Sequence, residues 1–568
     1  MDKRTVAAVV AIVLIIILMQ TPWFKDQTRV KEEPVEQRDI ADKPEPKTEI
    51  PQPESILRPE QVIGLISLEE IESKEVIVES DLFMGAIDTR GGLLRQWAIK
   101  PKRKKPADQE WVKLVPGETQ EGGLSLLFTG AGQDIDLDEL VFQCHQDSLK
   151  LSSLQPEGSL LLTAQTAEGV SITKEFTFHN NEHKMGLRIK IEGAGQLADG
   201  QQYALWWKSG LPVTEGKRSD DLRSFAAHSM LGDMVEKSTF SGKVIKDSSF
   251  AGDTKWFAVQ SKYFLMAMVP PDEVPGLGVE IRGRYQKENK DQGLQEKRII
   301  SGGITMPLRG GRCDHSWEIY LGPIDYFTLK EYGIGLEKVV YLGRSVLRWI
   351  GLIILHFFVR LHGLIANYGV VIILFSIIVK GIFYPLTRKS ITSIRKMQEI
   401  QPEIKKLQEK YKKEPAKLQR ATMDLYRKNK VSPLSGCFPM LLQMPVFFAL
   451  YAVFRNTIEL RGSSFLWIKD LSAPDTVFKL PWDIPIYGNS FNILPFVMAI
   501  TMFIQQKISM RDPKQAYMIY MMPLFLFFIF NNISSGLVLY WTMFNVLHIL
   551  QERLHVQRQE TPDQPEKE

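Results

Sequence analysis

The chain has 568 residues, 24% of them charged, with a net charge of +4 and a mean hydropathy of −0.11. So small a surplus on so long a chain excludes a protein that holds nucleic acid by its overall charge, and three cysteines exclude a disulfide framework. Apolar residues gather at the N-terminus and beyond residue 340, around a polar middle, so the chain divides into membrane and soluble parts.

Residues 1–24 start Met1-Asp-Lys-Arg, run apolar from Val6 to Met19 and end on Trp23 and Phe24. A basic start before an apolar run also describes a signal peptide. No small-x-small cleavage site follows, and the two aromatics suit the membrane interface, so the stretch is predicted to be an uncleaved anchor with a cytoplasmic N-terminus. Residues 25–75 carry Pro34, Pro44, Pro46, Pro51, Pro53 and Pro59 among many charges. So little apolar surface cannot offset the entropy of ordering, and the segment reads as a disordered tether.

Residues 76–330 change to short alternating runs such as VSITKEFTF and MGLRIKIEG, broken by glycines and charged turns. Period-2 alternation predicts a β-sandwich. His179-Asn-Asn-Glu182-His183 matches the inverted zinc-protease pattern, but that chemistry needs a helix, whereas FTFHNNEHKMGLRIKI reads as strand, Asn-Asn turn, strand. Trp206, Trp207, Trp256, Phe257, Tyr263 and Phe264 are read as core rather than as a sugar-binding cleft. Cys144 and Cys313 are read as small buried side chains, with pairing as the alternative.

Between Arg348 and Arg360 lie eleven apolar residues, too few to span the hydrocarbon, so residues 331–366 are predicted to hold an amphipathic interfacial helix with Arg344 and Arg348 on its polar face. Residues 367–386 are predicted to span, with Lys380 near the middle. Residues 387–436 hold fourteen Lys or Arg against five Asp or Glu, which places them in the cytoplasm. Their apolar spacing predicts a helical hairpin joined near Glu414. Its surplus charge suits anionic lipid or a docked ribosome equally.

Further spans are predicted at 437–454, 491–506, 516–531 and 533–550. The loop 455–490 has four basic and four acidic residues and is placed outside. The loop 507–515 has Lys507, Arg511 and Lys514 against Asp512 and is placed inside, as is the acidic tail 551–568. With the anchor this makes six spans and two cytoplasmic termini.

Read together, NYGVVIILFSIIVKGIFYPLTRKS, KMQEIQPEI, NKVSPLSGCFPMLLQMPVFFALY and SSGLVLYWTMFNV resemble, in order and spacing, the five-span core of the YidC membrane-protein insertase family. GAIDTRGGLL, WFAVQSKYFLMAMVP and YLGPIDYF are similar to the large periplasmic domain of its Gram-negative-type members. The resemblance implies an α+β multidomain polytopic inner-membrane protein: an N-terminal anchor helix, a periplasmic β-sandwich domain and a five-helix transmembrane core with a cytoplasmic helical hairpin. It implies an insertase and chaperone of nascent membrane proteins rather than an enzyme, with no cofactor, working alone or beside a Sec-type translocon. Membrane lipids are implied partners, and a ribosome would meet the loops 387–436 and 507–515. The implied substrate groove carries a positive residue where Lys380 stands, usually arginine; lysine keeps the charge and loses the planar fork of donors. Ser376, Tyr540 and Trp541 match further groove positions, the last pair standing where the family usually has two tyrosines. Gln443 joins them as a polar residue inside a predicted span.

From the residues alone, a charge in mid-span calls for a cavity, and water reaching Lys380 would give a polar flank a foothold halfway into the bilayer. No Walker-type loop occurs in the sequence, so the expected driving forces are partition, charge attraction and membrane potential. The structural alternative is a lysine that snorkels to the cytoplasmic end. No acid lies within the five spans so drawn, which argues against an internal ion pair. Two rival readings are a transporter of an anionic solute and a membrane-anchored carbohydrate-active protein.

Overall fold

The computed structural model describes residues 63–64, 72–100, 111–117, 122–129, 134–196, 201–240, 246–290, 293–431, 438–484, 487–509 and 516–560. The predicted anchor, nearly all of the tether, Cys437, most of the loop 507–515 and the tail beyond residue 560 lie outside the described residues.

From Glu75 to Pro323 the chain is built mostly of strands. Strand Ser171–His179 shows why: Ile172, Lys174, Phe176 and Phe178 are buried while the residues between them are not, the two-residue period of a strand with one covered face. Strands Glu157–Gln165, Ser171–His179 and Lys184–Glu192 form an antiparallel meander. The ribbon continues through Cys313–Pro323, Phe264–Val269 and Lys246–Gln260. It then passes through Gly276–Lys290, Gly293–Pro307, Gln202–Trp207 and Gly123–Thr129. From there it reaches Leu93–Ile99, Phe83–Asp88 and Glu75–Glu79.

The two ends of this ribbon pack against one another. Phe83 stacks on Trp97 at 4.4 Å, both lie within 6.3 Å of Phe178, and Trp97 Nε1 donates to the Leu321 carbonyl at 3.2 Å. A shared apolar core therefore lies between facing strands, as in a sandwich.

The HNNEH stretch is the turn between two of these strands. Asn180, buried at that turn, accepts from the Asp81 amide at 2.9 Å and donates to Asp81 Oδ2 at 2.7 Å. Trp206, Trp207, Trp256, Phe257, Tyr263 and Phe264 are all buried, which removes them from the reach of a sugar ligand. Cys144 and Cys313 are both free and half-buried rather than buried, and desolvation pushes the Cys313 thiol up to about 12.

Helices take over beyond Pro323. A short α1, Arg218–Ser224, lies within the β-domain. Helix α2, Tyr326–Glu331, starts at Asp325, whose side chain accepts from the Phe327 and Thr328 amides. Then come α3, Val346–Leu364; α4, Tyr368–Glu399; α5, Gln401–Lys410; α6, Pro415–Lys428; α7, Phe438–Asn456; α8, Ile493–Ser509; α9, Ala516–Phe530; and α10, Ser535–Glu560.

Five sequence expectations are corrected here. Arg344 does not share a helix face with Arg348, because Gly343 and Ser345 have positive φ and the chain turns there before α3 begins. Helix α3 has 19 residues rather than eleven and includes Arg348 and Arg360. Helix α4 does not stop at Leu386 but runs on through Pro385 for 32 residues. The predicted first arm of the hairpin is therefore split: its start continues α4, and only α5 and α6 pair beyond Ile400. Helix α10 likewise continues past residue 550 to Glu560. The loop 455–490 also carries structure of its own, a strand Thr476–Ile484 paired with Gly488–Asn492.

Among the described residues, α3 and α4 are long and apolar enough to cross a membrane. Helix α4 turns Ile377, Ile378 and Ile382 outward and Ser376 and Lys380 inward. The inward face also holds Val371, Ile372, Phe375 and Val379, and the apolar outward face suits lipid surroundings. Helix α10 packs against both α4 and α8, and α3 against α7. Helices α4 and α10 run side by side in the same direction, Phe375 facing Tyr540 and Thr387 facing Gln551.

The β-domain is joined to the helices through a continuous apolar cluster that includes Trp256, Leu265, Ile324, Leu336, Ile354 and Leu450. Arg461, in the loop after α7, donates to Glu215 of the β-domain, and Lys217 Nζ donates to Asn532 Oδ1 at 3.0 Å.

Candidate functional site

Lys380 lies on α4 where the helix is otherwise apolar, and its side chain is only 7% exposed. Its ammonium stands 4.5 Å from the centre of the Phe544 ring and 2.9 Å from His548 Nδ1, both on α10. The lysine does not snorkel to solvent. It is held between two helices by a ring face and a ring nitrogen.

Ser376, one turn earlier, is fully buried, and its Oγ donates back to the Ile372 carbonyl at 2.8 Å. Such back-bonding satisfies a hydroxyl inside an apolar helix. Tyr540 is also fully buried; its ring lies 6.0 Å from Phe375 and 6.3 Å from Phe544, which places it one step from Lys380. Gln443 on α7 donates from Nε2 to the Tyr540 hydroxyl, and its Oε1 is buried without a protein partner among the described residues. Trp541 faces another way, edge-on to Phe447 at 4.8 Å and 5.5 Å from Phe530.

Lys380, Ser376, Tyr540 and Gln443 thus converge between α4, α7 and α10, while Trp541 packs toward α7 and α9. More buried polar residues follow on α10: Thr542, Asn545, His548 and Glu552. Asn545 Nδ2 donates to Thr501 Oγ1 of α8 at 3.3 Å, and Gln551 Nε2 donates to Thr387 Oγ1 at 3.2 Å. Buried polar positions therefore run down α10 inside a shell of apolar helices.

His548 and Glu552 are the residues sequence reasoning overlooked. His548 Nε2 lies 3.8 Å from Glu552 Oε1, with both side chains buried. No acid lies within the five spans as drawn, yet α10 continues past the end of its apolar run and carries Glu552 to His548, so an acid stands one residue removed from Lys380. The available signal was the spacing Phe544, His548, Glu552, which repeats every four residues and marks one helix face. Among the described residues there is no group of three or more His, Cys, Asp or Glu that could hold a metal ion.

Comparison with known proteins is consistent along the whole chain. The model of the YidC periplasmic domain matches residues 75–357, and that of the 60Kd inner membrane protein matches residues 360–562. A protein of Chlorobium luteolum named membrane protein insertase YidC is 32% identical over 97% of this chain and 94% of its own length. A protein of the same name from Chlorobium phaeovibrioides is 33% identical over 97% of this chain and 94% of its own. A β-rich domain followed by a helical core, matched by the two family models and by such relatives over 97% of its length, places this chain in the YidC family of inner-membrane proteins.

Proposed function

We propose that the chain inserts nascent inner-membrane proteins, and helps them fold, through a hydrophilic groove between α4, α7 and α10 in which Lys380 is the central charge. The observation that carries this reading is an ammonium held midway along an apolar helix, turned inward against the Phe544 ring and His548 Nδ1. A lysine at the centre of a span costs about 2.5–3.5 kcal/mol, and a site that keeps one there has a use for it. The orphan Gln443 carbonyl favours the same view, because a buried amide oxygen needs a polar partner that water or a substrate backbone supplies.

In this mechanism a substrate's polar or acidic flank enters the groove while its apolar helix slides into lipid beside the core. Neither part crosses hydrocarbon unsolvated, and the barrier falls for that reason. Lys380 attracts and solvates the flank as a point charge with three donors. No covalent step is required, so the chain acts as an insertase and not as an enzyme.

The same reading makes the protein multi-pass, with six spans, a periplasmic β-domain and both termini in the cytoplasm. The basic segment 387–436 and the loop 507–515 then face the ribosome and anionic lipid, and a Sec-type translocon is a further partner. The test is insertion of a radiolabelled short membrane protein with a polar flank into proteoliposomes holding only this chain. Protease protection of the inserted segment is the expected result. Insertion no better than in empty liposomes would overturn the proposal.

A further inference from the structure

Lys380 does not present its charge alone. Phe544, His548 and Glu552 form one stripe of α10, and Lys380 enters that stripe from α4, 4.5 Å from the Phe544 ring centre and 2.9 Å from His548 Nδ1. His548 Nε2 in turn lies 3.8 Å from Glu552 Oε1. Lys380, His548 and Glu552 are 7%, 5% and 5% exposed. Arg395, a second cation from α4, donates from Nη2 to the Glu552 backbone carbonyl at 3.4 Å.

The donor inventory fixes the order of protons. An ammonium has only donors, so at this separation His548 Nδ1 accepts, and the neutral ring carries its hydrogen on Nε2. That hydrogen faces the Glu552 carboxylate. The order is carboxylate, neutral imidazole, ammonium, so the positive charge of Lys380 is offset at one remove by an acid of the same protein.

We propose that His548 and Glu552 are positioning residues that set how strongly Lys380 discriminates between acidic and neutral substrate flanks. The proposal rests on the reading of Lys380 as the charge of the groove. With Glu552 in place the two cations, Lys380 and Arg395, are partly offset, and the pull on a passing acidic segment is weakened. A neutral polar flank is then accepted, and an acidic one gains only by taking the place of His548 at Nζ. Without the Glu552 charge the site becomes more positive, and acidic flanks are favoured over neutral ones. A triad that merely pins α4 to α10 predicts something else: its loss would weaken insertion of every substrate alike.

The experiment uses the full chain in proteoliposomes and two radiolabelled substrates that share one apolar segment and differ only in flank, a pair of Asp against a pair of Asn. The readout is the ratio of acidic to neutral insertion. Glu552→Gln is expected to raise that ratio about threefold or more, and added salt to shrink the gain. Glu552→Asp, which keeps the charge, is expected to keep the parental ratio. His548→Gln breaks the link between acid and ammonium and is expected to raise the ratio too; it carries the test if Glu552→Gln does not fold. An unchanged ratio in the folded variants, with total insertion lowered equally for both substrates, overturns the proposal. Lys380→Ala separates the two ideas: insertion and ratio both unchanged would refute the groove charge itself, whereas lowered insertion beside an unmoved Glu552→Gln ratio refutes only the tuning.

Discussion

Arg461 donates from Nε to Glu215 Oε1 over 2.9 Å, tying the loop after α7 to the β-domain with side chains only 1% and 4% exposed. The Arg461 guanidinium also lies 5.4 Å from the centre of the Phe264 ring. Removing one partner of a buried ion pair costs about 3–5 kcal/mol, because the charge left behind stays buried. Arg461→Ala is therefore expected to loosen the β-domain from the helices, seen as an added low-temperature transition in calorimetry of the detergent-solubilised chain. The double variant Arg461→Met with Glu215→Gln should recover much of the loss. A single unaltered transition in Arg461→Ala would show that the pair does not hold the joint.

Acid should weaken the β-domain through His228. Its Nε2 meets Gln260 Oε1 at 3.0 Å, and burial pushes the imidazole down from 6.5 to about 3. The folded state therefore refuses a proton that the unfolded chain accepts, so this contribution is intact above the ordinary histidine value and is lost as pH falls from 6.5 towards 3. One such group gives a slope of up to about 1.4 kcal/mol per pH unit in that window. His228→Gln should reduce the drop in melting temperature between neutral and mildly acidic buffer, and an equal drop in both proteins would remove His228 from the account.

Between α7 and α10, Tyr540→Phe takes from Gln443 the hydroxyl to which it donates. Leaving that buried amide without its partner costs about 1–3 kcal/mol. Gln443→Leu combined with Tyr540→Phe should cost less than the sum of the single changes, and thermal melting of the four proteins closes the cycle. Strict additivity would mean that the two side chains do not cooperate.

At Lys380 itself, Lys380→Ala is expected to lower insertion of substrates with polar or charged flanks several-fold at normal expression, as loss of one such contact implies. Lys380→Arg keeps a cation and should keep most of the activity. Proteoliposome insertion measures both. Full activity in Lys380→Ala would sink the groove-charge idea.

Much of this architecture is legible in the sequence, and the places where it is not have physical causes. Alternation in Ser171–His179 reads directly because one strand face is covered, and FTFHNNEHKMGLRIKI reads as a hairpin because Asn-Asn suits a turn. The ends of helices read poorly. Pro385 looks like a terminator, yet α4 runs through it to Glu399. Apolarity ends near Leu550 although α10 does not, so a span drawn by hydropathy leaves out Glu552. The contact between Lys380 and His548 joins residues 168 apart, and no local pattern encodes it. A charge inside an apolar run located Lys380, but only packing shows which groups answer it.

Helix α4 has one further property, that of a lever. Its 32 residues make a rod about 48 Å long, while the hydrocarbon layer is about 30 Å thick. Lys380 sits near its middle, and the far end leads at Ile400 into the paired helices α5 and α6. On the proposed topology one helix carries both the lysine of the groove and the cytoplasmic hairpin, and Pro385, which removes a backbone hydrogen bond between them, is where such a lever gives first.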